Sequence, residues 1–181
     1  MPTFAIQFDT TTGLGFGASF YGDDNAKLAA NEIACTEAQS KNPSLWQLVN
    51  GALVQFLTYA QATQVALLRG GYANANAANI SFTTAAGVTD TYQCDPASID
   101  NLQNCLSGFR AAGAVPTSPV PFYWRSATNN NNPFTYADLE NLSAAIAARG
   151  FANYNQMQTL IAKVKAAKKV SAVQAVVWVN P

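Results

Sequence analysis

Residues 79–96 run Asn79-Ile80-Ser81-Phe82-Thr83-Thr84-Ala85-Ala86-Gly87-Val88-Thr89-Asp90-Thr91-Tyr92-Gln93-Cys94-Asp95-Pro96. Two extended runs, 79–84 and 88–94, flank Ala85-Ala86-Gly87, which predicts a hairpin. Asp95 then stands as an N-cap, with Pro96 at the first helical position, where a missing N–H costs nothing. Ile99, Leu102, Leu106 and Phe109 fall on one face of a helix to Arg110.

Downstream, residues 113–121 hold three prolines and read as an extended loop. Residues 122–125 predict a strand, and Asn129-Asn130-Asn131-Asn132-Pro133 a polar turn. Thr135 caps a helix with Leu139, Leu142 and Ile146 inward, and Gly150 ends it. Another helix carries Met157, Leu160, Ile161 and Val164, and a short last one spans 170–177. Trp178 is expected in the core against Leu139, Leu142 and Leu160. Residues 79–181 are therefore expected to form an α+β domain of hairpin, helix, strand, helix and helix.

Upstream the texture differs. Residues 3–8 and 14–21 predict strands, a hairpin or extended arms. Gly13, Gly15 and Gly17 weaken an independent sheet, so such an arm can add to a neighbouring chain. A dinucleotide loop is not indicated, since Ala18 replaces the third glycine and no βαβ unit follows. Residues 23–40 predict a helix capped by Asp23 or Asp24 and broken at Asn42-Pro43-Ser44. Residues 45–68 carry no charge. Trp46, Val49, Leu53, Phe56, Ala60, Thr63 and Leu67 recur there at spacings of three and four, which predicts an oligomerising helix. The interface residues expected are Trp46, Val49, Leu53, Phe56, Ala60 and Leu67. Gln47, Asn50, Gln55, Gln61 and Gln64 are too costly in hydrocarbon for a membrane span. Gly70-Gly71 is read as the helix stop and 72–79 as a linker. The domains expected are thus 1–78, for oligomerisation, and 79–181.

The 181 residues carry 10 Lys+Arg and 10 Asp+Glu, so no net charge draws the chain to nucleic acid. Charged residues are 11%, against about 25% in ordinary soluble domains. A surface so poor in charge suggests coverage by partner chains. There is no histidine, which removes the usual general base, metal ligand and triad member. Cys35, Cys94 and Cys105 match no metal spacing and are expected as reduced thiols. Residues 1–9 lack the pattern of a signal peptide. A paired-carboxylate site would have to draw on Asp95, Asp100, Asp138 or Glu140, and Asp138 and Glu140 do not face each other on a helix. Lys163, Lys165, Lys168 and Lys169 read as a solvated basic face. No catalytic residue, cofactor or metal is expected.

From residue 79 to 178 the chain resembles a small domain of unknown function recurrent in phage tail-fibre and tail-associated proteins. The resemblance rests on Gly87 in the hairpin, Tyr92-Gln93-Cys94-Asp95, Trp124-Arg125 before an Asn-rich turn, Thr135-Tyr136-Ala137-Asp138-Leu139, and the closing Val170-Ser171-Ala172-Val173 and Trp178. It implies a structural virion protein, a tail fibre or fibre-anchoring adaptor, with residues 1–78 as the virion-attachment segment. The alternatives are a tail-fibre assembly chaperone not retained in the virion and a tail enzyme degrading envelope polysaccharide. The partners expected are copies of itself, as a trimer or larger homo-oligomer, other tail proteins and a host surface receptor. Neither nucleic acid nor a membrane span is expected. The location expected is the virion tail, and the host cytoplasm during assembly.

Overall fold

The computed structural model describes residues 3–22 and 27–180. The expected helix caps Asp23 and Asp24 lie outside them. The fold is α+β, with five helices and several small antiparallel sheets among the described residues. Two compact units divide the chain, residues 1–67 with 161–177 and residues 68–160 with 178–181.

In the first unit, β1 (Thr3–Phe8), β2 (Gly15–Tyr21) and β3 (Glu32–Cys35) form an antiparallel sheet in the order β2-β1-β3. Ala5, Ile6 and Phe8 of the central strand are buried. The two expected strands are present, and they pair within the chain, Phe4 opposite Phe20 and Ile6 opposite Ala18. Gly15 is explained by packing, since a Cβ there would lie 2.3 Å from the Pro43 carbonyl oxygen. The helix expected over 23–40 is corrected. Residues 32–35 are a strand because Ile33 opposes Ile6 and Ala34 opposes Ala5. Among the described residues of that span only α1 (Glu37–Ser40) is helical, opened by a capping box of Thr36 and Gln39.

The helix expected over 45–68 is also corrected. After a 3-10 turn at Pro43–Leu45, the chain forms a hairpin of β4 (Trp46–Val49) and β5 (Ala52–Gln55). Asn50 and Gly51 make its turn, both at positive φ (51° and 78°). Asn-Gly is the pair that such two-residue turns prefer. Helix α2 (Leu57–Ala77) starts only afterwards and continues through Gly70 and Gly71. The expected linker is therefore its last turns. Two amides counted above against a membrane span have partners in this unit. Gln61 Nε2 donates to the carbonyls of Val164, Lys165 and Ala167 at 3.2–3.3 Å, acceptors that a helix end leaves unpaired. Gln64 Nε2 donates to the Val176 carbonyl at 2.7 Å. Among the described residues no helix is long and apolar enough to cross a membrane.

The second unit contains the hairpin expected from residues 79–94, as β6 (Ile80–Thr83) and β7 (Thr89–Tyr92), with Gly87 at φ 80°. Helix α3 (Pro96–Phe109) follows, capped by Asp95 accepting from the Ser98 N–H. Strand β8 (Tyr123–Arg125) pairs with β9 (Asn131–Pro133), so the polar run 129–133 is half turn and half strand. Helix α4 (Tyr136–Ala166) is continuous through Gly150, where two helices were expected, and α5 (Val170–Gln174) follows in the first unit. The core of the second unit is Tyr92, Leu102, Phe134, Leu139 and Leu142. Phe134 meets Tyr92 edge to face at a centroid distance of 5.2 Å.

Candidate functional site

The sequence-predicted interface residues do not form one seam. Trp46, Val49 and Leu53 lie on the β4–β5 hairpin, and Phe56 precedes α2. Trp46 and Leu53 line a shallow groove with Lys168 and Lys169, while Val49 is exposed. On α2 the buried positions are Ala60, Gln64, Leu68 and Ala75, the first three a stripe at intervals of four. Ala60 thus belongs to the interior, Thr63 lies off that stripe and Leu67 is 62% exposed. The heptad seam is replaced by two short features whose apolar spacings coincide with three and four.

A different apolar surface stands on β2. Phe16 and Phe20 are 62% and 65% exposed and, with exposed Ala18, alternate outward along an edge strand. The opposite side of the strand is polar and fixed. The Ser19 and Tyr21 hydroxyls each donate to Glu32 at 2.5 Å, the Ala29 N–H donates at 2.9 Å and Gln7 Nε2 at 3.2 Å. The Ser19 bond, then the Tyr21 and Ala29 bonds, hold the Glu32 carboxyl at about 2. The glycines and aromatics of β2 suggested an arm, but nothing in a pattern of single residues separates an exposed aromatic edge from a buried one.

In the second unit a cavity of about 410 Å³ lies between α3 and β8. That is within the roughly 300–1,000 Å³ of small-ligand sites. Ser98, Asn101 and Cys105 follow one another at helical spacings of three and four, and Asn104 stands beside them. Trp124 and Arg125 come from β8, and Gln93 from the link between β7 and α3. Trp124 is half-buried and partly packs on the core, and its remaining surface lines the cavity. Its ring is set by Phe122 at 6.3 Å and Phe134 at 6.5 Å. Burial pushes the Cys105 thiol up, which leaves it a neutral, apolar element of the wall. The sequence reading missed this grouping because α3, the β7–α3 link and the distant strand β8 contribute to it without a shared motif.

The acidic residues considered for paired-carboxylate chemistry have structural partners. Asp95 accepts from the Ser98 hydroxyl at 2.6 Å and from its N–H at 3.1 Å. Asp138 accepts from the Thr135 hydroxyl at 2.7 Å and N–H at 2.8 Å, and from the Ala85 N–H at 2.7 Å. Burial pushes Asp138 up, but the bonds from Thr135 and Ala85 outweigh it and leave the carboxyl below its usual range. The Asn-rich run is also engaged, since Asn130 and Asn132 both donate to Asp90. Cys35, Cys94 and Cys105 are unpaired. Among the described residues no group of three His, Cys, Asp or Glu side chains is placed to hold a metal ion.

Residues 72–177, more than half of the chain, match the family described as Domain of unknown function (DUF4376), and the chain belongs to that family. No curated protein and no solved structure matches the chain.

Proposed function

We propose that this DUF4376 member is a structural protein of a bacteriophage tail, a fibre or the adaptor that anchors one. It works by contact between copies of itself and with neighbouring tail proteins. The observation that carries the reading is the outward row Phe16, Ala18 and Phe20 on the edge strand β2. Exposed aromatics on an edge strand are a liability in a free chain and an asset in an assembly. A charged fraction of 11% with no net charge fits a surface that other chains cover. The order of Tyr92-Gln93-Cys94-Asp95, Trp124-Arg125 and Thr135-Tyr136-Ala137-Asp138-Leu139, which resembles tail-associated proteins, supports placing the assembly in a virion.

Mass spectrometry of gradient-purified virions of a phage encoding the chain tests the reading. The chain is expected in the particle at a fixed ratio to other tail proteins. Its presence in infected cells but absence from particles would favour an assembly chaperone instead.

A further inference from the structure

We infer that the cavity between α3 and β8 binds an acidic pyranose, a uronic-acid type of saccharide, with Trp124 as platform and Arg125 as the carboxylate contact. The first observation is the state of the polar side chains around it. Asn130 and Asn132, elsewhere in the same unit, are both held by Asp90. Gln93, Asn101, Asn104 and Arg125 are exposed, make no side-chain hydrogen bond among the described residues, and all four border one cavity. Each amide offers two donors and a two-lone-pair acceptor, so three of them can meet several vicinal hydroxyls at once.

The second observation is the indole. Phe122 and Phe134 fix the Trp124 ring, and its free surface lines the cavity. A pyranose has an apolar face of axial C–H bonds and a rim of hydroxyls, which matches a rigid aromatic surface bordered by amides. The indole, fixed by its two aromatic neighbours, loses little freedom on binding.

The third observation is charge. Arg125 is the one charged side chain on the lining, and it has no acidic partner among the described residues. A guanidinium fork recognises a carboxylate through two parallel hydrogen bonds. A single cation suits one carboxylate per sugar better than a run of phosphates, which draws clustered Lys and Arg. The inference concerns the isolated chain and does not depend on the virion reading.

Amide and indole resonances of the full chain, followed by NMR, provide the test. Methyl β-D-glucuronide, methyl β-D-glucoside and uridine monophosphate are titrated separately. The glucuronide is expected to saturate with a Kd on the order of 1 mM and to shift the Trp124 indole resonance. The glucoside is expected to bind about tenfold more weakly, the worth of one charge-assisted contact. Arg125→Gln should bring the glucuronide to the glucoside's level and leave the glucoside unchanged. Asn101→Ala with Asn104→Ala, both exposed on α3, should weaken both sugars without touching the core. Trp124→Ala should abolish both; if that variant unfolds, the α3 pair carries the test alone. Absence of saturable shifts with either sugar overturns the inference. So does binding indifferent to the α3 pair and Arg125→Gln, or uridine monophosphate binding more tightly with the same sensitivities.

Discussion

Asn132 Nδ2 donates to a carboxylate oxygen of Asp90 at 3.0 Å and so ties strand β9 to strand β7. The same amide donates to the buried Tyr92 hydroxyl at 2.9 Å. Asn130 Nδ2 and the Thr128 hydroxyl reach the Asp90 carboxylate as well, at 3.1 and 2.9 Å. The Asn-rich run is therefore folded around one acid. Asn132→Ala is expected to cost about 1–3 kcal/mol, because a buried hydroxyl and a carboxylate both lose a partner. Urea unfolding at neutral pH measures it; an unchanged midpoint would mean that the run is only loosely held.

Acid should weaken the fold through two carboxylates. Glu32 is held at about 2 against an ordinary 4.5, chiefly by the Ser19 and Tyr21 hydroxyls. Asp90 lies well below its ordinary 3.8, chiefly through Asn132 and the Thr91 N–H. A group whose folded pKa is depressed stabilises the fold above its unfolded value, and that contribution is lost as pH falls toward the folded value. Stability is thus expected to be flat at neutral pH and to fall below about 4.5. Glu32→Gln and Asp90→Asn should each flatten that fall, as followed by circular dichroism against pH. A variant curve parallel to the parent would remove the residue from the account.

Asp138 holds the start of α4 and the loop of the first hairpin in the second unit together, through Thr135 and the Ala85 N–H. Asp138→Ala removes the bonds that close the α4 N-terminus and leaves the Ala85 N–H without its side-chain acceptor, and should cost about 1–2 kcal/mol. Asp138→Asn keeps an acceptor and should cost less. If the two variants unfold at the same denaturant concentration, the acceptor is not what matters.

The self-association reading puts the contact on β2. Phe16→Asp with Phe20→Asp should return the chain to a monomer by sedimentation, with its far-ultraviolet dichroism unchanged because both side chains are exposed. Leu53→Asp with Phe56→Asp, the pair that the heptad pattern would have chosen, should instead damage the fold, since both are half-buried within the chain. Unaltered sedimentation of the Phe16 and Phe20 variant would displace the interface from β2.

Legibility followed local chemistry. The β6–β7 hairpin and α3 were readable because Gly87, Asp95 and Pro96 each do something that few other residues can. Residues 46–55 were misread although Asn50-Gly51 stood in plain view. Trp46, Val49, Leu53 and Phe56 happen to repeat at three and four, and the periodicity outweighed the turn. Gly71 and Gly150 were read as helix stops, yet α2 and α4 run through them, because a glycine's cost of about 1 kcal/mol is small beside the packing of a long helix. The α3–β8 cavity had no sequence signature at all. Only the tertiary fold brings Gln93, Asn101, Asn104 and Arg125 to one opening.

Trp178 corrects the last sequence expectation and gives a test with a sign. Its ring lies on α2 rather than among Leu139 and Leu142, and it is half-buried, with the indole N–H donating to Asn180 Oδ1 at 2.9 Å. A Cβ on Gly71 would meet Trp178 Cγ at 2.6 Å and Cβ at 2.8 Å. These atoms sit close to the backbone and cannot swing aside as a flexible side-chain end would. Trp178→Ala should therefore cost about 2 kcal/mol, below the roughly 3–5 of a fully buried tryptophan. Gly71→Ala gains helix propensity of about 1 kcal/mol but loses about 1–3 to the clash, so it should destabilise the parent chain. In the Trp178→Ala background the 2.6 Å contact is gone and only the Cβ contact at 2.8 Å remains, so the same change should cost less. A urea double-mutant cycle reads the coupling directly. Additive effects, or Gly71→Ala stabilising the parent, would separate the tryptophan from the glycine.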